Sequence, residues 1–119
     1  MKELSDFYPQ MINKLPEIDV NLQGVKGWLV QSQQCQVVLF EIKPIGKIPD
    51  HSHGAQWGIM LDGRMKLTIN GKTRLYEKGD RYFIPSGIVH SAEFLTTVRV
   101  IDFFEDNDRY NVKDDQHAE

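Results

Sequence analysis

Two histidines separated by a single serine, His51 and His53, are the residues of this chain best placed to do chemistry. Imidazole titrates near neutrality, carries a lone pair on one ring nitrogen and is a common ligand for first-row transition metals. Residues two apart on an extended chain project to the same side, so both rings point the same way from one short extended segment. Pro49 keeps Ile48 extended, and Gly54 permits a tight bend before the next strand, which begins at Gln56 or Trp57. A third histidine, His90, follows a Pro85-Ser86-Gly87 turn and starts another strand. Three of the four histidines thus sit beside turns on a β scaffold, where a metal site would recruit them. Taken alone, the pair is also what hydrogen-bonded structural histidines give. His117 falls in a polar tail and is expected to be solvated.

A carboxylate is the second candidate. In VRVIDFF, residues 98–104, Val98, Val100, Asp102 and Phe104 share one face, and Arg99, Ile101 and Phe103 share the other. If the valine face points inward, Asp102 is a carboxylate in an apolar cavity, where burial raises its pKa and suits it to general acid or base work. The alternative is an aspartate paired with Arg81 or Arg99 near the rim. Cys35 lies between glutamines with no local base and is expected to be structural. Ser52, Ser86 and Ser91 lie near the histidines, but no G-x-S-x-G elbow exists, which argues against a serine hydrolase.

The elements that position these residues read as short strands. They are expected near 25–32, 36–43, 57–61, 65–70, 73–77, 82–84, 89–94 and 98–104, with one short helix over 5–14 capped by Ser5 or Asp6 and ended by Pro16. Asn70-Gly71 and Asp62-Gly63 tolerate the positive φ of two-residue hairpin loops and predict antiparallel hairpins. Many short strands with almost no helix imply a sandwich or closed barrel. A chain of 119 residues, 40% hydrophobic and 26% charged, suits a single domain with one modest core. The net charge of −3 and the scatter of Arg64, Lys66, Lys72, Arg74 and Lys78 over strand surfaces supply no phosphate-binding footprint, so nucleic acid is not an expected partner. No apolar run is long enough to span a membrane, and the one cysteine fits a reducing compartment, so a cytoplasmic protein is expected. Residues 105–119 are acidic and polar and are expected to fray.

The spacing through the middle of the chain resembles the cupin family. GDRYFIPSGIVHSAEF, from Gly79 to Phe94, matches the family's second motif, G-x5-P-x-G-x2-H-x3-N, at Gly79, Pro85, Gly87 and His90, with Phe94 in place of the final asparagine. The first motif, G-x5-H-x-H-x3,4-E-x6-G, is approximated by Gly46, His51, His53, Gln56 and Gly63. Gly46 stands one residue close, the loop after His53 is one residue short, and Gln56 occupies the glutamate slot. Fifteen residues separate the motifs, the family's compact spacing. The resemblance implies an all-β, single-domain jelly-roll barrel over 24–104, with motif 1 at 46–63 and motif 2 at 79–94. A segment over 1–23 with the short helix precedes it, and the tail over 105–119 follows.

The same resemblance implies that His51, His53 and His90 bind one divalent transition metal ion, Zn, Ni, Fe, Mn or Cu, with Gln56 in the fourth position. A neutral amide in place of a carboxylate leaves the ion its full charge. That favours Lewis acidity and a bound anion over oxidation of Fe(II). QWGIMLDG (56–63) and Ile101-Asp102-Phe103-Phe104 are similar to segments of cupins that linearise unsaturated uronates. The expected pocket lining is Met60, Phe94 and Phe104. The function implied is metal-dependent isomerisation, tautomerisation or ring opening of a small oxygen-rich acid, with Asp102 moving a proton. A non-catalytic binding or sensing cupin and a cupin dioxygenase are the alternatives. Trp57, Ile59, Leu61 and Phe83 alternate away from the cavity, as a homodimer interface or as a surface for the N-terminal segment.

Overall fold

The computed structural model describes residues 5–45 and 47–114, so Gly46 and His117 lie outside the described residues. Alternation of apolar and polar residues builds strands β1 (Val25–Gln31), β2 (Gln36–Ile42), β3 (Lys47–His51), β4 (Gln56–Asp62), β5 (Met65–Ile69), β6 (Lys72–Tyr76), β7 (Arg81–Ile84), β8 (His90–Phe94) and β9 (Val98–Phe104). They form two antiparallel sheets, ordered β1-β2-β9-β4-β7 and β3-β8-β5-β6, the two-layer all-β architecture expected of a jelly roll. Inward residues of both sheets make one core, including Val38, Phe40 and Val100 from the first and Met65, Leu67 and Phe94 from the second. No helix among the described residues is long and apolar enough to cross a membrane.

The Asn70-Gly71 hairpin forms as expected between β5 and β6, with φ of 51° and 79° at the two turn residues. Asp62-Gly63 does not make a hairpin. It carries the chain from one sheet to the other, since β4 pairs with β7 and β9 while β5 pairs with β6 and β8. Gly63 has φ 87°, and a Cβ there would collide with the Thr97 carbonyl, so glycine is required at this corner. Strand β3, which the sequence pattern did not isolate, lies at a sheet edge where Pro49 is tolerated, and it pairs with β8 through an irregular register.

The helix is shorter than expected: α1 covers only Gln10–Asn13, with Pro9 in extended conformation as its cap. The residue before a proline avoids the helical region. Residues 5–8 instead fold around the Ser5 hydroxyl, which accepts from the N–H of Phe7 and of Tyr8. Tyr8 then packs on the outer face of the larger sheet with Trp28 and Leu39, alongside Leu61 and Ile101, and its hydroxyl donates to the Phe40 carbonyl. The N-terminal segment therefore covers Leu61, one of the outward residues, and leaves others open. Val30, Val37, Phe103, Trp57 and Phe83 stand directly opposite one another across all five strands. Trp57, Phe103 and Phe83 are 37%, 45% and 57% exposed.

The segment after β9 is packed rather than frayed as far as it is described. Buried Gln36 accepts from Tyr110 N–H at 2.9 Å and donates to the Tyr110 carbonyl at 2.9 Å. Tyr110 stacks edge-on against Phe40 and Phe104, and Val112 bridges to Ile18. The average polarity of residues 105–119 hides these two apolar anchors and the glutamine that receives them.

Candidate metal centre and cavity

The space between the sheets is incompletely filled. A cavity of about 330 Å³ remains, with an apolar wall that includes Phe40, Ile84, Phe94 and Phe104 and polar groups at His51, Gln56, Tyr82, His90, Asp102 and Arg109. Phe94 and Phe104 are among its lining residues. Met60 is not: two residues beyond Gly58 on β4, it is 1% exposed and belongs to the packed core.

His51 closes β3, His90 opens β8, and the two are paired across the sheet edge. His53 follows in the loop to β4. Their ring centroids lie 4.1 Å (His51–His90), 4.7 Å (His53–His90) and 5.4 Å (His51–His53) apart. Each Nδ1 meets a backbone carbonyl: Pro49 for His51 at 2.9 Å, Gly54 for His53 at 2.7 Å and Ile88 for His90 at 2.9 Å. A carbonyl oxygen only accepts, so Nδ1 carries a proton in each ring, and in the neutral imidazole Nε2 is then the atom with the lone pair. The Nε2 atoms of His53 and His90 are 3.1 Å apart, and one ligand atom from each of the three rings lies within 4.8 Å of the others. Lone pairs this close repel unless a cation lies among them, so the donor set fits a divalent transition metal and the three histidines could hold one. Burial, followed by nearby cationic groups, lowers the pKa of His53, and His90 is lowered to about 4; backbone hydrogen bonds oppose both shifts. Both rings are therefore neutral at pH 7, the form that binds metal.

Asp102 is 3% exposed, inward on β9. Burial raises its pKa to about 6, against the opposing hydrogen bonds of Tyr82 and Gln56 and the charge of Arg109. It is not paired with either arginine considered from the sequence. Arg99 lies on the opposite face, bound to Glu41 and Asp62 at 2.9 Å each. Besides Gln56, the partner of Asp102 is buried Tyr82, whose hydroxyl donates to it at 2.5 Å. Gly58 lies opposite both residues in the strand registers, and a Cβ there would collide with the Asp102 carboxylate and the Tyr82 ring. A glycine inside a strand is the sequence signal for such close approach. Gln56, at the start of β4, faces the same cavity.

Arg109 was not singled out in the sequence because it falls in the acidic tail. Its guanidinium carbon sits 5.3 Å from the Phe104 ring centroid and 5.0 Å from that of Tyr110. Its Nε is buried without a hydrogen-bond partner, and among the described residues no carboxylate lies within ion-pair distance of it. The cavity wall thus includes a cation with no carboxylate partner among the described residues.

Fold and site together define a small two-sheet β protein with a histidine-rich pocket between the sheets. The cupin domain family model matches residues 38–104, and the chain belongs to the cupin family. Solved structures share the fold. KdgF from Halomonas sp. is 18% identical with a TM-score of 0.67, over 76% of this chain and 87% of that one. An RmlC-like cupin from Shewanella frigidimarina is 19% identical with a TM-score of 0.68, over 97% and 96%. Oxalate decarboxylase from Bacillus subtilis, a protein with Mn(II) centres, is 25% identical with a TM-score of 0.63, over 76% of this chain and 28% of that one. No curated protein matches the chain by sequence.

Proposed function

We propose that this cupin is a metal-dependent enzyme that isomerises, tautomerises or opens the ring of a small oxygen-rich acid. The observation that carries the reading is one cavity lined by a buried carboxylate of raised pKa, a cationic arginine and two of the three clustered histidines. A divalent ion on His51, His53 and His90 would supply Lewis-acid polarisation of substrate oxygens. Gln56 suits a fourth ligand position: its amide hydrogens can serve Asp102 and Tyr82, which leaves its carbonyl oxygen free.

The chain's own residues account for the rest. Arg109, which lines the cavity, offers its positive charge to a substrate carboxylate. Apolar walls exclude water, and Asp102, near half-protonated around pH 6, is able to take and return a proton. The segments QWGIMLDG and Ile101–Phe104 favour an unsaturated uronate as substrate. In such a ring opening the anomeric hydroxyl loses its proton and the ring C–O bond at that carbon breaks to give an aldehyde. The alkene carbon is then protonated so that the enol becomes a ketone. The formula is unchanged and no oxidant is needed. The exposed row from Val30 to Phe83 supports a homodimer as the working assembly.

The test is to incubate an unsaturated monouronate with protein loaded with each candidate ion, following loss of conjugated ultraviolet absorbance and the product by NMR. Turnover that is lost in Asp102→Asn supports the reading. A uronate that binds, raises Tm and is recovered intact with every ion supports the binding or sensing alternative. Iron-dependent oxygen uptake supports the dioxygenase.

A further inference from the structure

The loop carrying His53 is held from outside the ligand set. Its two successive peptides each place an N–H on a carboxylate from the segment after β9. Gly54 N–H donates to Asp106 Oδ2 at 2.9 Å, and Ala55 N–H donates to Glu105 Oε1 at 3.1 Å. The carbonyls of the same two peptides point to the metal-centre elements. Gly54 C=O accepts from His53 Nδ1 at 2.7 Å. His53 C=O accepts from Gly87 N–H at 2.8 Å, in the turn that leads to His90. The Glu105 N–H closes the clasp on the Ala55 carbonyl at 2.8 Å. A Cβ on Gly54 would stand 2.7 Å from Asp106 Oδ1, so any side chain there would displace that carboxylate.

We propose that Glu105 and Asp106 are positioning residues for His53, acting through the two peptides they hold. Hydrogen bonds in series polarise one another. Donation of Ala55 N–H to Glu105 makes the carbonyl of the same peptide, Gly54 C=O, a better acceptor for the His53 Nδ1 proton. A carboxylate behind a metal-ligating histidine fixes its tautomer and raises its basicity; here that effect is carried across one peptide unit. Asp106 does the corresponding work on the neighbouring peptide. By fixing it, Asp106 holds the His53 carbonyl on Gly87 and so sets the spacing between the turns that bear His53 and His90. The proposal rests on the reading of the three histidines as metal ligands.

Imidazole ¹⁵N NMR of the metal-free protein reads the His53 tautomer, and Zn²⁺ titration against a competing chelator reads affinity. Both are applied to wild type, Glu105→Ala, Asp106→Ala, Glu105→Gln and Asp106→Asn, with thermal melts to check folding. The expected result is a pure Nδ1–H tautomer at His53 in wild type and a mixed one in the alanine variants, with His51 unchanged. Zn²⁺ should bind the alanine variants about 10–100-fold more weakly. The amide variants keep an acceptor oxygen and should fall between. Folded alanine variants with wild-type tautomer and affinity overturn the proposal. If the alanine variants fail to fold, amide variants indistinguishable from wild type overturn it as well. A wild type that binds no divalent ion, with the His53 tautomer still lost in the alanine variants, sinks the metal reading and leaves the positioning of His53 standing.

Discussion

Replacement of Asp102 by asparagine should make the protein more stable near neutrality while abolishing the turnover proposed for it. The native state raises the Asp102 pKa from 3.8 to about 6, chiefly through burial. It therefore binds this proton more tightly than the unfolded chain does. The favourable contribution of Asp102 is fullest below about pH 4 and is lost as pH rises through about 6. Converted at 1.36 kcal/mol per unit, the loss is on the order of 3 kcal/mol. His90 acts in the opposite sense. Its folded pKa is lowered to about 4, so its contribution is present above about 6.5 and is lost as pH falls towards 4. The two slopes oppose each other in wild type. The difference between Asp102→Asn and wild type isolates the carboxylate, because the histidines are common to both. In chelator, urea melts at pH 4 and pH 7.5 should show the stability of the variant relative to wild type rising by roughly 3 kcal/mol between the two. Any fixed cost of altering the Tyr82 hydrogen bond is present at both pH values and cancels. A stability difference that does not change with pH would refute the raised pKa, and with it the argument that burial prepares Asp102 for proton transfer.

Three further outcomes follow from the same geometry. His53→Ala should abolish stoichiometric metal in elemental analysis of the purified protein, while Gln56→Ala should weaken it, since only the histidines form the convergent donor set. Arg109→Met, which keeps the stem on Phe104 and removes the charge, should raise KM for an acidic substrate about tenfold or more and leave bound metal unchanged, as read by steady-state kinetics beside the metal assay. Phe103→Lys, in the middle of the open apolar row, should convert the proposed homodimer to monomer in analytical ultracentrifugation without altering the metal content.

The parts of the fold that were legible in the sequence were those fixed by local chemistry. Asn70-Gly71 demands positive φ at both positions, and only a tight hairpin satisfies it there. Asp62-Gly63 carried the same signal, but a positive φ specifies how the chain turns and not which strand it pairs with afterwards, so a sheet-to-sheet corner looked like a hairpin. Strand β3 was hidden by Pro49 and by its position at an edge, where alternation is weakly enforced. Two-residue periodicity put Asp102 on one face with Val98, Val100 and Phe104 and paired His51 with His53, but which way those faces point depends on how the sheets pair. Tyr82 also shows that periodicity, yet its place against Asp102 depends on registers that put both residues opposite Gly58. Arg109, Glu105 and Asp106 were lost to composition: an acidic run reads as solvated unless partners distant in sequence, here Gln36 and the Gly54 and Ala55 amides, are known.

Strands β4 and β9 carry different duties on their two faces. Gln56 lines the cavity and Gly58 abuts Asp102 and Tyr82 while Trp57, between them, belongs to the open row; Asp102 and Phe104 look inward while Phe103 looks out. A one-residue slip in pairing exchanges the faces of a strand. Insertion or deletion of a single residue within β9 would therefore bring Phe103 into the cavity and expel Asp102, removing the acid and the outer aromatic row in one event. Point substitutions are able to adjust either face independently, but the length of these strands cannot drift. Natural variation in chain length is expected to accumulate at the Ser32–Cys35 and Asn70–Gly71 turns, where an added residue leaves both faces in place.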